Sequence, residues 1–535
     1  MSGFAGTGAL TQLALRRDRL MIPAWLYVLA ASVVGTAASF RTLYGGQADR
    51  ADLARSTNAS APLRALFGPL YDWDTIGALT GWRMGVLGAS LTGLMSMLIV
   101  VRHTREEEET GRQEMLGATM VDRRAPLTAA LSAAATADVA IALVVLCGMT
   151  VLGQSLTGSA ALALALAIGG MMFAGVAAVT AQLTETARLA KGLAGAVLGA
   201  AFLLRAAGDA ATSDSSSPLV WISPLGWLEH LHPYADEAWW VLLPAAAFAV
   251  LTCGAAYALV ARRDTGAGLL PARPGPARAA PSLNGPLALA WRLQRGTLYA
   301  WAAGLAVAGG VYGSVTDSVG DLIGGNGQVD DIFQRMGGHQ GLTDAFLSTS
   351  MGLLGIMAAV FAVQSVLRLR TEETGQGAEA VLAQSVGRVR WAASHLVHAL
   401  LGTVVLLATG GLLMGLAYGG AVDDIGGQVP RLIGAAVAQA PAVWVLVGLG
   451  TLLFGLLPRA STAAWGLLGL FVMMGQLGPV LRLPQPLLDL SPFTHVPKLP
   501  GGEITATPYA WLILVAAGTL AAGLAGLRRR DLVTG

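Results

Sequence analysis

The sequence predicts an all-α membrane protein of about 12 transmembrane helices, arranged as two parallel six-helix repeats. Three observations predict it: the balance of apolar to charged residues, apolar runs of spanning length, and matches that recur at a nearly constant offset. Of 535 residues, 54% are hydrophobic and 12% charged, and the mean hydropathy is +0.61. Soluble globular chains carry about 25% charged residues. Half that share leaves too little polar surface to cover a body in water. The 69 glycines fit the same class, because small residues let membrane helices approach closely.

Composition also excludes several functions. A net charge of +2, with no basic run interleaved with aromatics, gives no footprint for nucleic acid. Cys147 and Cys253 each sit in an apolar stretch, so no disulfide framework is expected. No His/Cys cluster has metal-ligand spacing, so no metal site is expected. No HExxH or GxSxG motif is present, so no catalytic residue is expected. Lys191 follows Ala190 and Lys498 follows Pro497, and neither has the Gly-Lys-Ser/Thr setting that a phosphate-binding loop needs. The scarcity of Lys beside abundant Ala, Gly and Arg fits a high-GC bacterium and hence its plasma membrane.

A hydrocarbon core of about 30 Å needs about 20 apolar helical residues. That ruler finds spans near 20–40, 83–101, 125–153, 160–184, 192–207 and 239–260 in the first half. In the second it finds 297–315, 346–366, 392–418, 432–455, 465–480 and 509–527, with the fifth and eleventh spans short. No cleavable leader is expected, since the first run follows Arg16, Arg17 and Arg19 and is long enough to span. Placing both termini in the cytoplasm puts 24 of the 34 Lys and Arg on that side, as the positive-inside rule requires.

The halves repeat. Leu13-Ala14-x-Arg16-x-x-Arg19 and Ala24-Trp25 return as Leu289-Ala290-x-Arg292-x-x-Arg295 and Ala300-Trp301. Glu108-Glu109-Thr110-Gly111 returns as Glu372-Glu373-Thr374-Gly375, Ser223-Pro224 as Ser491-Pro492, and Arg262-Arg263-Asp264 as Arg529-Arg530-Asp531. Six spans is an even number, so the two repeats face the same way. Expected units are 1–265 and 289–535, joined by a cytoplasmic Pro/Ala/Arg linker at 266–288. The extra residues of the first half fall in the extracellular loop near 41–82.

The segment between the second and third spans, RHTREEEETGRQEMLGATMVDRR, is the most informative. Thr110-x-x-Gln113 reads as a capping box that starts a short helix through Glu114, Leu116 and Met120. Such a helix can lie along the interface or dock a soluble partner, and a solvated charge run is the bland alternative. In the second copy Glu379, Ala383, Val386 and Arg388 match Glu114, Ala118, Val121 and Arg123.

Within the spans, Asp138 is a site candidate by default, because a charge at mid-membrane costs about 2.5–3.5 kcal/mol. It could equally face a polar bundle interior. Arg205 and Asp209, four apart, are expected to pair. Trp25 and Trp301 recur at equivalent places and serve as interfacial anchors or cargo-stacking rings. Asp317, Asp321, Asp330, Asp331 and Asp344 fall in loop segments, where solvation explains them.

The stretch Glu109-Thr110-Gly111-x-x-Glu114-x-Leu116-x-x-Thr119-x-x-x-Arg123 resembles the loop of ABC-2-type (type V exporter-like) permeases, E-x-G-T-x-E-x-L-x-x-T-P-x-x-R. Here Thr and Gly are reversed, and Met120 or Val121 stands for the Pro. In the second copy Gly377 and Gln384 replace the capping Gln and the Thr. The duplicated layout is similar to fused permeases that export polyketide antibiotics, of the tetronasin-resistance type.

That resemblance implies an ATP-driven exporter of hydrophobic or amphipathic drugs, with ATP and Mg²⁺ held on a separate homodimeric ATPase and no cofactor on this chain. The coupling residues it implies are Glu108, Glu109, Thr110, Gly111, Glu114, Leu116 and Arg123. Their second-half counterparts are Glu372, Glu373, Thr374, Gly375, Glu379 and Arg388. It further implies amphipathic helices before spans one and seven, at 13–19 and 289–295, and short re-entrant helices at Ser223-Pro224 and Ser491-Pro492. A major-facilitator-type secondary transporter, with Asp138 as its proton-coupling group, is the alternative.

Overall fold

A computed structural model describes residues 4–117, 121–212, 216–264, 266–270, 275, 277–321, 338–477, 484–502 and 505–531. The chain divides into two compact units, Met1–Gly275 and Pro276–Gly535. Helix is the regular structure of both, and among the described residues 11 helices are long and apolar enough to cross a membrane. The architecture is that of a multi-helix membrane protein.

The first unit begins with α1 (Thr7–Arg17) and α2 (Met21–Leu43). Pro23 separates them: it has no N–H to give the preceding turn and its ring crowds the carbonyl four residues back. Buried Asp18 in the break forms an ion pair with Arg102 at 2.8 Å and pairs with His103 at 2.6 Å, which pins the turn to the end of the second span. The long loop that follows is itself folded, with α3 (Gln47–Ala59) and α4 (Ala61–Phe67) closed by a two-way hydrogen bond between Asn58 and Leu70.

The second span, α5 (Ile76–His103), starts on Thr75, whose hydroxyl accepts from Ala78 N. Two short helices follow, α6 (Arg105–Glu109) and α7 (Arg112–Gly117). Then come α8 (Ala125–Val151), α9 (Leu156–Leu183) and α10 (Ala187–Ala211), the last two capped by Ser155 and Thr186. The short helices α11 (Pro218–Ile222) and α12 (Pro224–Glu229) precede α13 (Leu242–Val260). α5 and α9 form the centre, packing Met95, Ile99, Leu166 and Phe173 against Ile141 of α8. The fifth span is 25 residues long, not the short run 192–207, because it starts at Ala187 on the Thr186 cap and runs on past Asp209, which like Arg205 is buried in protein.

The second unit holds α14 (Pro286–Asp321), α15 (Gly338–Thr374), α16 (Gly377–Leu382) and α17 (Arg388–Ala421). It continues with α18 (Ile425–Val437), α19 (Ala440–Leu456), α20 (Ala463–Leu477), α21 (Gln485–Leu488) and α22 (Ala506–Arg529). No separate amphipathic helix stands at 289–295, contrary to expectation; α14 runs unbroken for 36 residues. Tyr299 occupies the position of Pro23 and keeps its N–H, so nothing interrupts the ladder. The tenth span breaks into α18 and α19 at Ala438, just before Pro441. The eleventh span is α20, 15 residues long, and the remainder of the apolar run to 480 lies outside the described residues.

Local devices recur between the units. α13 lies so close to α9 that a Cβ on Gly175 would overlap Thr252 Oγ1; α22 meets α19 in the same way at Gly448 and Thr519. Ser223 Oγ donates to the Ala201 carbonyl at 2.7 Å, and Ser491 Oγ to the Phe471 carbonyl at 3.2 Å.

Candidate functional site: the loops between the second and third spans

In the first unit the loop is anchored by one buried arginine. Arg105 has a fully buried side chain and donates to the Ala181 carbonyl through Nε (3.0 Å) and Nη2 (2.6 Å). It also reaches the Gly266 and Ala267 carbonyls, and Glu108 at 2.7 Å. A carboxylate has room for several donors. Glu108 uses this room for Arg263, at the end of the sixth span, with Nη1 at 2.9 Å and Nη2 on the other oxygen. Arg263 Nε in turn donates to Gln182 Oε1 at 2.6 Å. One acid thus joins the ends of spans two, four and six.

The neighbouring acids face other elements. Glu109 Oε1 accepts from Ala187 N at 3.0 Å, the first turn of α10. Glu106 pairs with Lys191 at 3.2 Å; Glu107 pairs with Arg17 of α1 and with Arg112. Arg123 lines a small crevice beside Glu108 and Gln113. Thr110, Glu114 and Met115 are exposed. The side chains of Leu116 and Thr119, and Met120 with them, lie outside the described residues.

The capping box does not form. Thr110 ends α6 instead of starting a helix, its hydroxyl donating back to the Glu106 and Glu107 carbonyls at 3.1 and 3.2 Å. Gly111 then takes φ +69°, and α7 begins at Arg112. Thr110 has φ −83° and ψ 1°, not the extended backbone of an N-cap, and its Oγ1 accepts from Arg112 Nε at 3.0 Å in place of an amide ahead.

The second unit builds the same strut. Buried Glu373 accepts from Arg530 at 2.6 and 2.9 Å and pairs with Arg370 at 3.3 Å. Arg388 Nη1 donates to the Arg530 carbonyl at 2.6 Å. Glu372 pairs with Arg368 at 2.6 Å, and Thr374 Oγ1 donates to the Arg370 carbonyl at 2.9 Å. Thr374, Gly375 and Glu379 are exposed.

These contacts correct the register of the repeat. The Glu-Glu-Thr-Gly match aligns Glu109 with Glu373 and Gly111 with Gly375. The structure instead makes Arg105, Glu108 and Gly111 equivalent to Arg370, Glu373 and Gln376, since Gln376 is the residue at φ +62°. This is the register already carried by Glu114/Glu379 and Arg123/Arg388. Of the strut arginines, 263 and 530 belong to the recurring Arg-Arg-Asp match, while 105 and 370 stand out in the sequence only as positive charge on the cytoplasmic side. Arg-x-x-Glu, present once per half, was the available signal.

Asp138 is buried on α8 and accepts from Ser96 Oγ of α5 at 2.6 Å. Trp25 is half-buried against the core, and Trp301 Nε1 donates to Gln364 Oε1 at 3.0 Å. None of the three joins the loop sites.

At the opposite end of the first unit lies a network of buried arginines. Arg205 pairs with Asp209 at 2.9 Å, as expected, and also reaches Glu229 and the Ala65 and Leu66 carbonyls. Arg64 donates to the Asp209 and Ala210 carbonyls at 3.0 Å each. Beside it, burial pushes the Tyr234 hydroxyl up to about 12, against a hydrogen bond to Ser159 that works the other way.

Comparison with known proteins identifies the chain's relatives. Residues 283–528 match the family described as the C-terminal domain of multidrug efflux system permease Rv1217c. The chain is 45% identical over 531 residues to the multidrug efflux system permease protein Rv1217c of Mycobacterium tuberculosis (strain ATCC 25618 / H37Rv), covering 99% of this chain and 96% of that one. With 45% identity over nearly the full length of both chains and a family match across the second half, the chain belongs to the Rv1217c family of efflux-system permeases.

Proposed function

We propose that the chain is the membrane-spanning permease subunit of an ATP-driven exporter of hydrophobic or amphipathic small molecules, drugs and polyketide-type antibiotics among them. The relative's name supports efflux of multiple drugs. The observation that carries ATP coupling is the strut in each half: an acid of the loop gripped by an arginine at the end of the last span, with Glu114 or Glu379 left exposed beside it. A soluble ATPase dimer, holding ATP and Mg²⁺, pushes on the exposed acids, and the struts carry that displacement into the bundle.

In this reading the loops and both termini face the bacterial cytoplasm, where the arginines concentrate. Units 1–265 and 289–535 act as the two halves of the transporter. The comparisons give no support to a major-facilitator-type secondary transporter using Asp138.

The test is co-purification of the full chain with a co-expressed ABC-type ATPase from the same organism. A stable complex whose ATP hydrolysis is stimulated by drug supports the reading. Drug export driven by an ion gradient with no nucleotide present refutes it.

A further inference from the structure

The two units differ at a place that the repeat makes equivalent. In the first, Trp227 meets Phe248 edge-on with centroids 6.1 Å apart, and Trp221 stacks on Trp240 at 5.8 Å. The recurring Ser-Pro and Arg-Arg-Asp anchors carry these positions onto the second unit as His495, Val515, Asp489 and Thr507. Every ring system but the small imidazole is gone. At that place the second unit holds a cavity of about 670 Å³ between α19, α20, α22 and the segment around α21. Pockets for drug-sized ligands run about 300–1,000 Å³.

The walls are apolar, with Val445, Phe471 and Met474 buried at the back. Leu490 and Trp511 also line it, each 63% exposed. Polar groups gather on one side only. Asp489 Oδ1 accepts from Gln485 Nε2 at 2.8 Å, and the Asp489 carbonyl meets His495 Nε2 at 2.8 Å. No cation among the described residues pairs with the Asp489 carboxylate, and that side chain is exposed.

We infer that this cavity is a binding site for one lipophilic cation, its apolar body against Phe471, Met474 and Trp511 and its charge at Asp489. The site rests on the export reading, as the place where cargo is held in the second half, and it has no equivalent demand in the first, where aromatic pairs take up the space. A carboxylate at one edge of an apolar pocket selects for positive charge while the walls supply the affinity.

The test is equilibrium binding of radiolabelled tetraphenylphosphonium to the full chain in phosphatidylcholine nanodiscs, without ATPase or nucleotide. His495→Trp with Val515→Phe rebuilds the aromatic pair of the first unit and should weaken binding at least tenfold. Leu490→Trp, at an exposed position that tolerates bulk, should do the same and guards against misfolding of the double variant. Asp489→Asn should weaken tetraphenylphosphonium about tenfold while leaving the uncharged probe N-phenylnaphthylamine unchanged.

Unaltered cation binding in both filled variants overturns the site. Equally, a co-purified phospholipid lost from the filled variants, with cation binding intact, makes an acyl chain the occupant and overturns it. Because binding is read without nucleotide, a chain that binds but never exports keeps the site and refutes the export reading. A chain that exports with the cavity filled does the reverse.

Discussion

The Glu108 strut makes the sharpest quantitative prediction. Glu108 and Arg263 have side chains only 3% and 8% exposed, and Arg105 is fully buried, so the pair cannot trade its partners for water. Breaking a buried pair by removing one member costs about 3–5 kcal/mol. Arg105 keeps two bonds to the Ala181 carbonyl and Arg263 keeps Gln182, which places Glu108→Ala near about 3 kcal/mol, the low end. A double-mutant cycle with Arg263→Ala should leave a coupling of about 1.5–3 kcal/mol, since charge-assisted bonds contribute that much. The assay is reversible unfolding of the purified chain in mixed micelles, read by tryptophan fluorescence. With the ATPase present, Glu108→Ala should also reduce drug moved per ATP while leaving complex formation intact. A coupling below about 0.5 kcal/mol would refute the strut as an energetic unit, being the scatter expected of independent sites. Unchanged drug per ATP would refute it as the transmitting element.

Four further outcomes follow from particular residues. Glu109→Ala with Glu114→Ala should abolish drug-stimulated ATPase activity in reconstituted complex, because these acids stand outside the strut; full stimulation would remove them from the docking surface. Gln376→Gly should stabilise the second loop by about 1 kcal/mol, relieving a left-handed conformation unfavourable to a side chain; Gly111→Ala should destabilise the first by a similar amount, with nothing near its Cβ to add a clash. Tyr234 titrates near 12 in the folded chain against 10 in the unfolded one, so its contribution is complete below pH 10 and is lost between pH 10 and 12; Tyr234→Phe should flatten that alkaline loss in a melting series. Asp138→Asn should leave ATP-driven export within about threefold, because the amide can still accept from Ser96 at a net cost of about 0.5–1.5 kcal/mol or less.

Much of the fold was legible because the bilayer enforces it. Apolar runs of spanning length, and recurring Ser-Pro and Arg-Arg-Asp marks, could be read without knowing a single contact. The one-residue register of the loops was legible in one pattern and hidden in another: Glu114/Glu379 and Arg123/Arg388 carry it, but Glu-Glu-Thr-Gly is a longer string match at the wrong offset, and Arg-x-x-Glu makes the contacts. The split of the acids was also hidden. Glu108 turns inward and Glu114 outward, a difference set by where Arg263 returns after the sixth span. The capping pattern at Thr110 failed for a local reason, since the same hydroxyl finds carbonyls one turn back. The arginine network at Arg64 and Arg205 depends on α3 and α4, elements that a loop of ordinary composition did not announce.

The glycine contacts along the last span bear on how the second half can move. Thr519 Oγ1 is seated on Gly448, and at Gly455 and Gly523 the two main chains touch with no side chain to act as a bearing. Neither rod can roll over the other without steric collision, so the pair translates as a single plank. The remaining wall, α20, is short and free of such locking. Breathing of the space it encloses therefore falls to that one helix, and a bulky residue introduced on its inner face would stall the motion while leaving the plank untouched.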